Sequence, residues 1–350
     1  MLPIVRAAHQ ALSFHLEQCS TISDKKILII QGQVGNYLEA LKGCEITALS
    51  YDAAHHYEWK QAGITSVQSI AKEKSYDVVI QFGSKSESET RLALAKYALL
   101  LKENGRFISI VHNKLGAGRY KKQFEQLFSD IAITSKSKSR VLDGIKDESF
   151  NTILAEDWVK LEKPSILEGS DYLSLPGVYG EKKLDAGSIF LSELLQNEYW
   201  SGRGADLGAG YGYLAGELLK NRHKIQELHL YEIDSRALEM AQLNLSKIIE
   251  KSCNTVKSIK THWCDVTQAP KPERSYHWAI MNPPFHTSTE QNFDLGIAFI
   301  QQAAVMLRDG APLFMVANLH LPYEETLHES FRSVVKLGER DGFKAFRAVK

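Results

Sequence analysis

The chain has 350 residues, 44% of them hydrophobic and 24% charged, and its 42 basic and 42 acidic side chains give a formal net charge of zero. That balance excludes bulk electrostatic attraction to nucleic acid or membrane as the organising principle, while allowing a local patch. At roughly 100–200 residues per domain, the length predicts about two domains.

The opening stretch, MLPIVRAAHQALSFHLEQ, has no uninterrupted apolar run, and no segment approaches the roughly 18 apolar residues of a membrane helix. A cytoplasmic protein, monomeric and without membrane contact, is expected. Cys19, Cys44, Cys253 and Cys264 lack CxxC spacing, so neither a zinc site nor a disulfide framework is suggested, and no metal is expected.

In chain order, KILIIQGQVGNYLEAL (26–41) reads as a strand, a glycine-containing turn and a helix, and ITALSYD and YDVVIQFG follow as further strands. LLLKENGRFISIVHN follows, with Gly105 and Asn113 spaced as Gly310 and Asn318 are in the later VMLRDGAPLFMVANL. Residues 102–140 then carry nine basic residues (Lys102, Arg106, Lys114, Arg119, Lys121, Lys122, Lys136, Lys138, Arg140) against Glu103, Glu125 and Asp130, a net +6. A solvated basic face and a phosphate-contacting surface both fit this segment. Pro164, Gly169 and Pro176 punctuate an irregular join.

After the join the plan repeats. GADLGAGYGYLAGELL parallels the first strand and turn, with Gly32 matching Gly208 and Leu38 matching Leu214. LHLYEID, HWAIMNPP and VMLRDGAPLFMVANL parallel the later strands. The pattern predicts two doubly wound α/β domains with mostly parallel sheets, at 1–160 and 165–350. The differences fall where chemistry would need residues: Val34 and Asn36 face Gly210 and Gly212, Ser50 faces Glu232, and QFGS faces NPPF. The first copy therefore reads as a scaffold or recognition domain that has lost its polar site.

The second copy concentrates the chemistry. ADLGAGYGYL is a strand running into G-x-G-x-G and a helix. Its glycines let backbone approach a ligand, and Tyr213 stands where the dinucleotide fingerprint needs its third glycine. Glu232 ends the next strand and suits two ribose hydroxyls. Asp265 ends a third and suits an exocyclic amine such as adenine N6. Asp206, Glu232, Asp265 and Asn282 all lie at strand ends, where ligands of open parallel sheets bind. Pro283 and Pro284 forbid further ladder bonds after Asn282.

With glycine loop, two acids and NPPF in this order, residues 165–350 resemble the class I S-adenosylmethionine-dependent methyltransferases. NPPF resembles the motif of enzymes that methylate planar nitrogens. Such a nitrogen is a poor nucleophile because its lone pair is delocalised, and two acceptors aimed at its N–H bonds would localise it. The Asn282 side-chain oxygen and the Pro283 carbonyl are the candidates, with Phe285 stacking on the base.

LPGVYGEKKLDAGSIFL, NPPFH, VANLHLPYEETL and GFKAFRAVK resemble, over nearly the whole chain, the RsmC-type 16S rRNA guanine-N2 methyltransferases of the bacterial small subunit. The RlmG-type enzymes acting on 23S rRNA share much of this pattern. The resemblance implies two tandem Rossmann-like class I methyltransferase domains, the N-terminal copy degenerate and unable to bind cofactor. The C-terminal copy would use S-adenosylmethionine, held by Asp206, Gly208, Gly210, Gly212, Glu232, Asp265 and Asn282. The family usually has Phe where Tyr179 stands; Tyr179, Leu184, Asp185 and Gly187 would close over cofactor and base. Asp185 reads equally well as a helix N-cap. His286 is a candidate proton acceptor or phosphate contact, and Lys121, Lys122, Lys136 and Lys138 are candidate ribosomal RNA contacts.

Methylation of the N2 of a 16S rRNA guanine is the expected function. The alternatives are a 23S rRNA guanine, an adenine N6 or glutamine amide, a non-catalytic RNA-binding module, and a nucleotide-binding oxidoreductase, which the glycine spacing disfavours.

Overall fold

Runs such as KILII (26–30) and WAIM (278–281) are buried almost end to end, as central strands of a parallel sheet covered on both faces must be. The computed structural model describes residues 3–19, 22–71, 75–220, 224–251, 256–272, 275–284 and 290–350. The chain divides into two units, Met1–Lys163 and Pro164–Lys350.

The first unit contains β1 (Lys26–Ile30), β2 (Glu45–Leu49), β3 (Thr65–Val67), β4 (Tyr76–Phe82), β5 (Leu101–His112), β6 (Ile131–Lys136) and β7 (Ser139–Lys146). Its helices are α1 (Pro3–Gln18), α2 (Ala53–Gln61), α3 (Glu87–Ala98), α4 (Ala117–Leu127) and α5 (Thr152–Val159). The second unit opens with a short hairpin, β8 (Ser165–Ile166) and β9 (Leu173–Ser174), and then α6 (Ala186–Leu194). Its sheet comprises β10 (Ser201–Leu207), β11 (Lys224–Glu232), β12 (Ser258–Trp263), β13 (Trp278–Met281), β14 (Pro312–Asn318), β15 (Ser333–Arg340) and β16 (Phe343–Val349). Helices α7 (Tyr213–Lys220), α8 (Ser235–Lys251), α9 (Glu290–Met306) and α10 (Glu324–Ser330) connect them.

Among the described residues each unit forms one seven-stranded sheet. The orders are β3-β2-β1-β4-β5-β7-β6 and β12-β11-β10-β13-β14-β16-β15. In each, five neighbouring strands run parallel and the remaining two close the edge with antiparallel pairings. Both are Rossmann-like α/β sheets, as the alternating sequence pattern predicts. Along β13 the side chains alternate between two apolar layers: Trp278 and Ile280 pack with Leu214 and Leu238, and Ala279 and Met281 with Ile300 and Met315.

The ladders also fix the equivalence of the two copies, and they move the sequence alignment by one residue in two strands. Ile30 pairs with Leu49 and Gln81, as Leu207 pairs with Tyr231 and Met281. The next residue is left-handed in both, Gln31 at φ 55° and Gly208 at φ 78°. Each donates its N–H to the same strand end, Leu49 O at 3.0 Å and Tyr231 O at 2.9 Å. Gly208 therefore corresponds to Gln31, not Gly32, and Asn282 to Phe82, not Gln81. The polar positions Asp206, Glu232 and Asn282 become Ile29, Ser50 and Phe82.

Apolar and aromatic side chains thus fill the first unit's strand edge. Phe82 meets His9 of α1 at 5.6 Å between ring centroids and Tyr37 at 5.6 Å, with His9 and Tyr37 at 5.0 Å. The Trp59 indole donates to Gly32 O at 2.9 Å, and Tyr37 Oη donates to Gln33 O at 2.8 Å. Held this way, the chain after β1 makes a 3₁₀ turn, Asn36–Leu41, instead of the expected α-helix. Cys19, Cys44 and Cys264 are free thiols, and Cys253 lies outside the described residues.

Burial pushes His9 down to about 4. Relative to an ordinary value near 6.5, the neutral ring's contribution is intact above about pH 6.5 and is lost as the pH falls towards 4. His9→Phe keeps a ring in this cluster and removes the titration. Denaturant unfolding of the full chain at pH 7 and pH 5 should therefore show a smaller acid loss in the variant; equal losses would exonerate His9.

Candidate active site

The glycine loop follows β10 directly. Gly208, Gly210 and Gly212 have φ of 78°, 54° and 82°, a left-handed run that only glycine adopts without strain. Gly212 also lies so close to α8 that a Cβ would meet Ala241 Cβ at 3.0 Å, whereas a Cβ at Gly210 would meet nothing within 4 Å. The loop thus packs tightly on the protein side and presents open space at Gly210.

Glu232 holds the loop in this shape. Its Oε2 accepts the Gly210 N–H at 2.7 Å, and its Oε1 accepts Ile233 N–H at 2.9 Å and Asp234 N–H at 3.0 Å. Asp206 Oδ2 accepts the Ala215 N–H of α7 at 3.2 Å, while Oδ1 is buried without a partner among the described residues. Burial raises both acids to about 7, and their mutual repulsion adds to the effect on Asp206. Asp265, expected as a strand-end acceptor, also caps the following 3₁₀ turn. Its Oδ1 takes both Thr267 N–H and Thr267 Oγ1–H at 2.8 Å.

Asn282 follows β13 immediately, beside the glycine loop, because Met281 pairs with Leu207. Its Nδ2 donates to Asp185 Oδ1 at 2.7 Å and to Ser188 Oγ at 2.8 Å. Asp185 also caps α6, accepting Ser188 N–H at 2.9 Å, and its Oδ2 accepts the Tyr179 hydroxyl at 2.6 Å. The N-cap reading of Asp185 is therefore present, joined to a second task. Burial and the neighbouring Asp185 push the Tyr179 phenol well above its ordinary value. Gly187 admits the Phe343 ring, which a Cβ there would meet at 2.8 Å. Leu184 packs against the core of the second unit. Pro283 is buried and Pro284 exposed; Phe285 and His286 lie outside the described residues.

Two further residues escaped the sequence reading. Ser188 completes the Asn282 anchor, and its signal was its place three residues after Asp185, the capping spacing. Asn244 on α8 bonds both backbone groups of Leu173, at 2.8 and 3.0 Å, and Tyr211 O of the glycine loop at 2.9 Å. A polar residue on the apolar face of an amphipathic helix was its signal.

The four lysines divide. Lys136 and Lys138, with Arg140 and Asn113, line an open groove of about 290 Å³ at the β6–β7 turn. Lys136 also lies 4.6 Å over the Phe14 ring. Lys121 and Lys122 are on α4, where Lys121 pairs with Glu125. Among the described residues no helix is long and apolar enough to cross a membrane.

An acid whose folded value is raised loses stability as the pH rises from its unfolded value, near 4, through the folded one, near 7. At about 1.4 kcal/mol per unit, Asp206 alone accounts for a few kcal/mol. Without ligand, the full chain should be less stable at pH 8 than at pH 6, and Asp206→Asn should flatten that slope. An unchanged slope in thermal unfolding would count against the buried charge.

Residues 170–347 match the family model of the methyltransferase small domain. Among curated relatives, the ribosomal RNA small subunit methyltransferase C of Shewanella sediminis is 27% identical over 317 residues, 88% of each chain. That of Stutzerimonas stutzeri is 33% identical over 180 residues, 51% of each chain. A T. thermophilus 16S rRNA N2 G1207 methyltransferase, solved with AdoMet and guanosine, shares the fold at a TM-score of 0.78 and 22% identity, covering 98% of this chain and 91% of that one. The chain therefore belongs to the methyltransferase small domain family.

Proposed function

We propose that the second unit, 165–350, methylates the exocyclic N2 of a guanine in 16S rRNA of the small ribosomal subunit, using S-adenosylmethionine. The observation that carries this reading is Asn282, whose nitrogen is tied back to Asp185 and Ser188 so that its side-chain oxygen faces away from both as an acceptor. The names of relatives that match this chain over most of its length support the substrate.

The residues present fit the cofactor. The unpartnered buried Asp206 Oδ1 and the open space at Gly210 are what a polar, tightly held ligand needs. Gly208, Gly210, Gly212 and Asp206 would hold its amino-acid end, Glu232 its ribose and Asp265 its base, with Gly187 and Asp185 at the margin. When bound, it supplies an electrophilic methyl group on sulfur.

The chain's own part is to shape the acceptor nitrogen. Asn282 Oδ1 and Pro283 O each take one N2–H, which withdraws the lone pair from the ring and stabilises the positive charge developing on nitrogen. Pro283 and Pro284 hold the backbone of this turn rigid before substrate arrives. Phe285 would stack on the base, and Tyr179 and His286 would contact the RNA. No strong base is required, since the quaternised nitrogen is acidic enough to release its proton to water.

The first unit, 1–160, with its strand edge filled by His9, Tyr37 and Phe82, would bind no cofactor and serve to grip RNA or stabilise the enzyme. The protein would act as a cytoplasmic monomer.

Transfer of labelled methyl to isolated small subunits, large subunits and free rRNAs, followed by nucleoside analysis, should give N2-methylguanosine in 16S rRNA; its appearance only in 23S rRNA would overturn the substrate. Asn282→Ala should keep cofactor binding and lose about 10²–10³-fold in rate, as for removal of one transition-state hydrogen-bonding group. Replacing Lys121, Lys122, Lys136 and Lys138 by Ala should weaken RNA binding and flatten its salt dependence, and unchanged binding would leave the first unit a purely stabilising role.

A further inference from the structure

We infer that Asp185 and Ser188 are positioning residues that fix the sense of the Asn282 amide, so that an acceptor and never a donor meets the target amine. This rests on the assignment of Asn282 as the acceptor of the N2–H bonds.

The two ends of an asparagine amide are nearly the same size, and only hydrogen bonding distinguishes them. Flipped, Asn282 would turn two N–H donors on an amine that is itself a donor, and the attraction would become repulsion. A serine hydroxyl cannot prevent this, because it donates or accepts as required. Asp185 can. Its two oxygens already receive the Ser188 N–H at 2.9 Å and the Tyr179 hydroxyl at 2.6 Å, an arrangement of donors around an acceptor. The amide nitrogen, at 2.7 Å from Asp185 Oδ1, is the only end of Asn282 that fits there. Ser188 Oγ, at 2.8 Å from the same nitrogen, takes its second hydrogen. Both N–H bonds are thereby consumed, with Asp185 setting the sense of the amide and the buried Ser188 completing its hydrogen bonding.

The anchors are rigid for local reasons. Asp185 is the N-cap of α6, with φ of −73° and ψ of 128°, and Ser188 lies in the first turn of the same helix. Phe190 and Leu191 bury that helix in the core of the second unit. The reach from 185 to 282 spans 97 positions, so the sense of the amide is set by the fold and not by the loop that carries it.

The test uses kcat, cofactor affinity and a change of background. Asp185→Ser retains a good N-cap residue but shortens the acceptor, and Ser188→Ala removes the second. In the full chain Ser188→Ala should bind S-adenosylmethionine with wild-type affinity, and both variants, assayed at saturating cofactor so that any loss of cofactor affinity at Asp185 is removed, should lower the single-turnover rate about tenfold to a hundredfold, as small misplacements of reacting groups do. A carboxylate at position 282 has two equivalent oxygens and no sense to fix, and it would repel Asp185. In an Asn282→Asp background, Asp185→Ser should therefore leave the rate unchanged or raise it. The same fractional loss in both backgrounds, or no loss in the wild-type background, overturns the inference. Asn282→Ala with full transfer in the same assay would instead remove Asn282 from the chemistry, and the anchor with it.

Discussion

Three backbone N–H groups converge on one buried carboxylate, Glu232, and the geometry of the site follows from that convergence. One of them belongs to Gly210, so the carboxylate at the end of β11 dictates where the loop after β10 must run. Left-handed glycines are the only residues that accept that course, and the close approach of Gly212 to Ala241 leaves no space for a side chain there. From the other side, Asn244 ties Tyr211 of the loop to β9. A parallel sheet brings the remaining polar positions to the same edge, since neighbouring strands that run the same way end together. The clasp is made at the expense of charge: burial holds Glu232 and Asp206 near 7, several tenfold steps from an ordinary carboxylate.

The first unit is a control experiment in the same chain. It keeps the strand order, the left-handed residue after the first strand and the left-handed pair at the last hairpin, Ser137–Lys138 against Asp341–Gly342. It keeps no acid or amide at the three positions that matter, where Ile29, Ser50 and Phe82 stand. The vacated edge is closed by His9, Tyr37, Trp59 and Phe82, and burying these rings removes the desolvation penalty that the acids impose on the second unit. Sheet topology is therefore preserved by the apolar alternation alone, and the site is an overlay that can be lost without losing the fold.

That separation explains what could be read from sequence. The two-copy α/β plan with mostly parallel sheets was legible because alternation, glycine turns and strand-end acids are local patterns. The correspondence of the copies was misread by one residue in β1 and β4, because Gly32 resembles Gly208 in type while Gln31 resembles it in backbone. Only the ladder register distinguishes these. The partners of Asp185 were hidden for another reason. A capping aspartate is recognisable within four residues, but a bond to a side chain 97 positions away has no trace in a linear pattern. Asp265 is legible as a strand-end acid, and its second task, the Oδ1 cap to Thr267 two residues on, is a short-range pattern of the same local kind.

The choice of an amide at position 282 follows from the charges already present. A carboxylate there would accept both amine hydrogens more strongly, but it would face Asp185, on an edge that also carries the buried acids Asp206 and Glu232. Each added anion raises the free energy of the others and draws them towards protonation. A neutral amide avoids that, at the expense of a weaker acceptor. Asp185 recovers part of the loss at one remove, because a carboxylate accepting from the amide nitrogen polarises the group and increases the negative charge on its oxygen. With Asn282 as the proposed acceptor, charge assistance would reach the target amine without an anion beside it, and Asp185 could supply it only while the amide nitrogen faces the carboxylate.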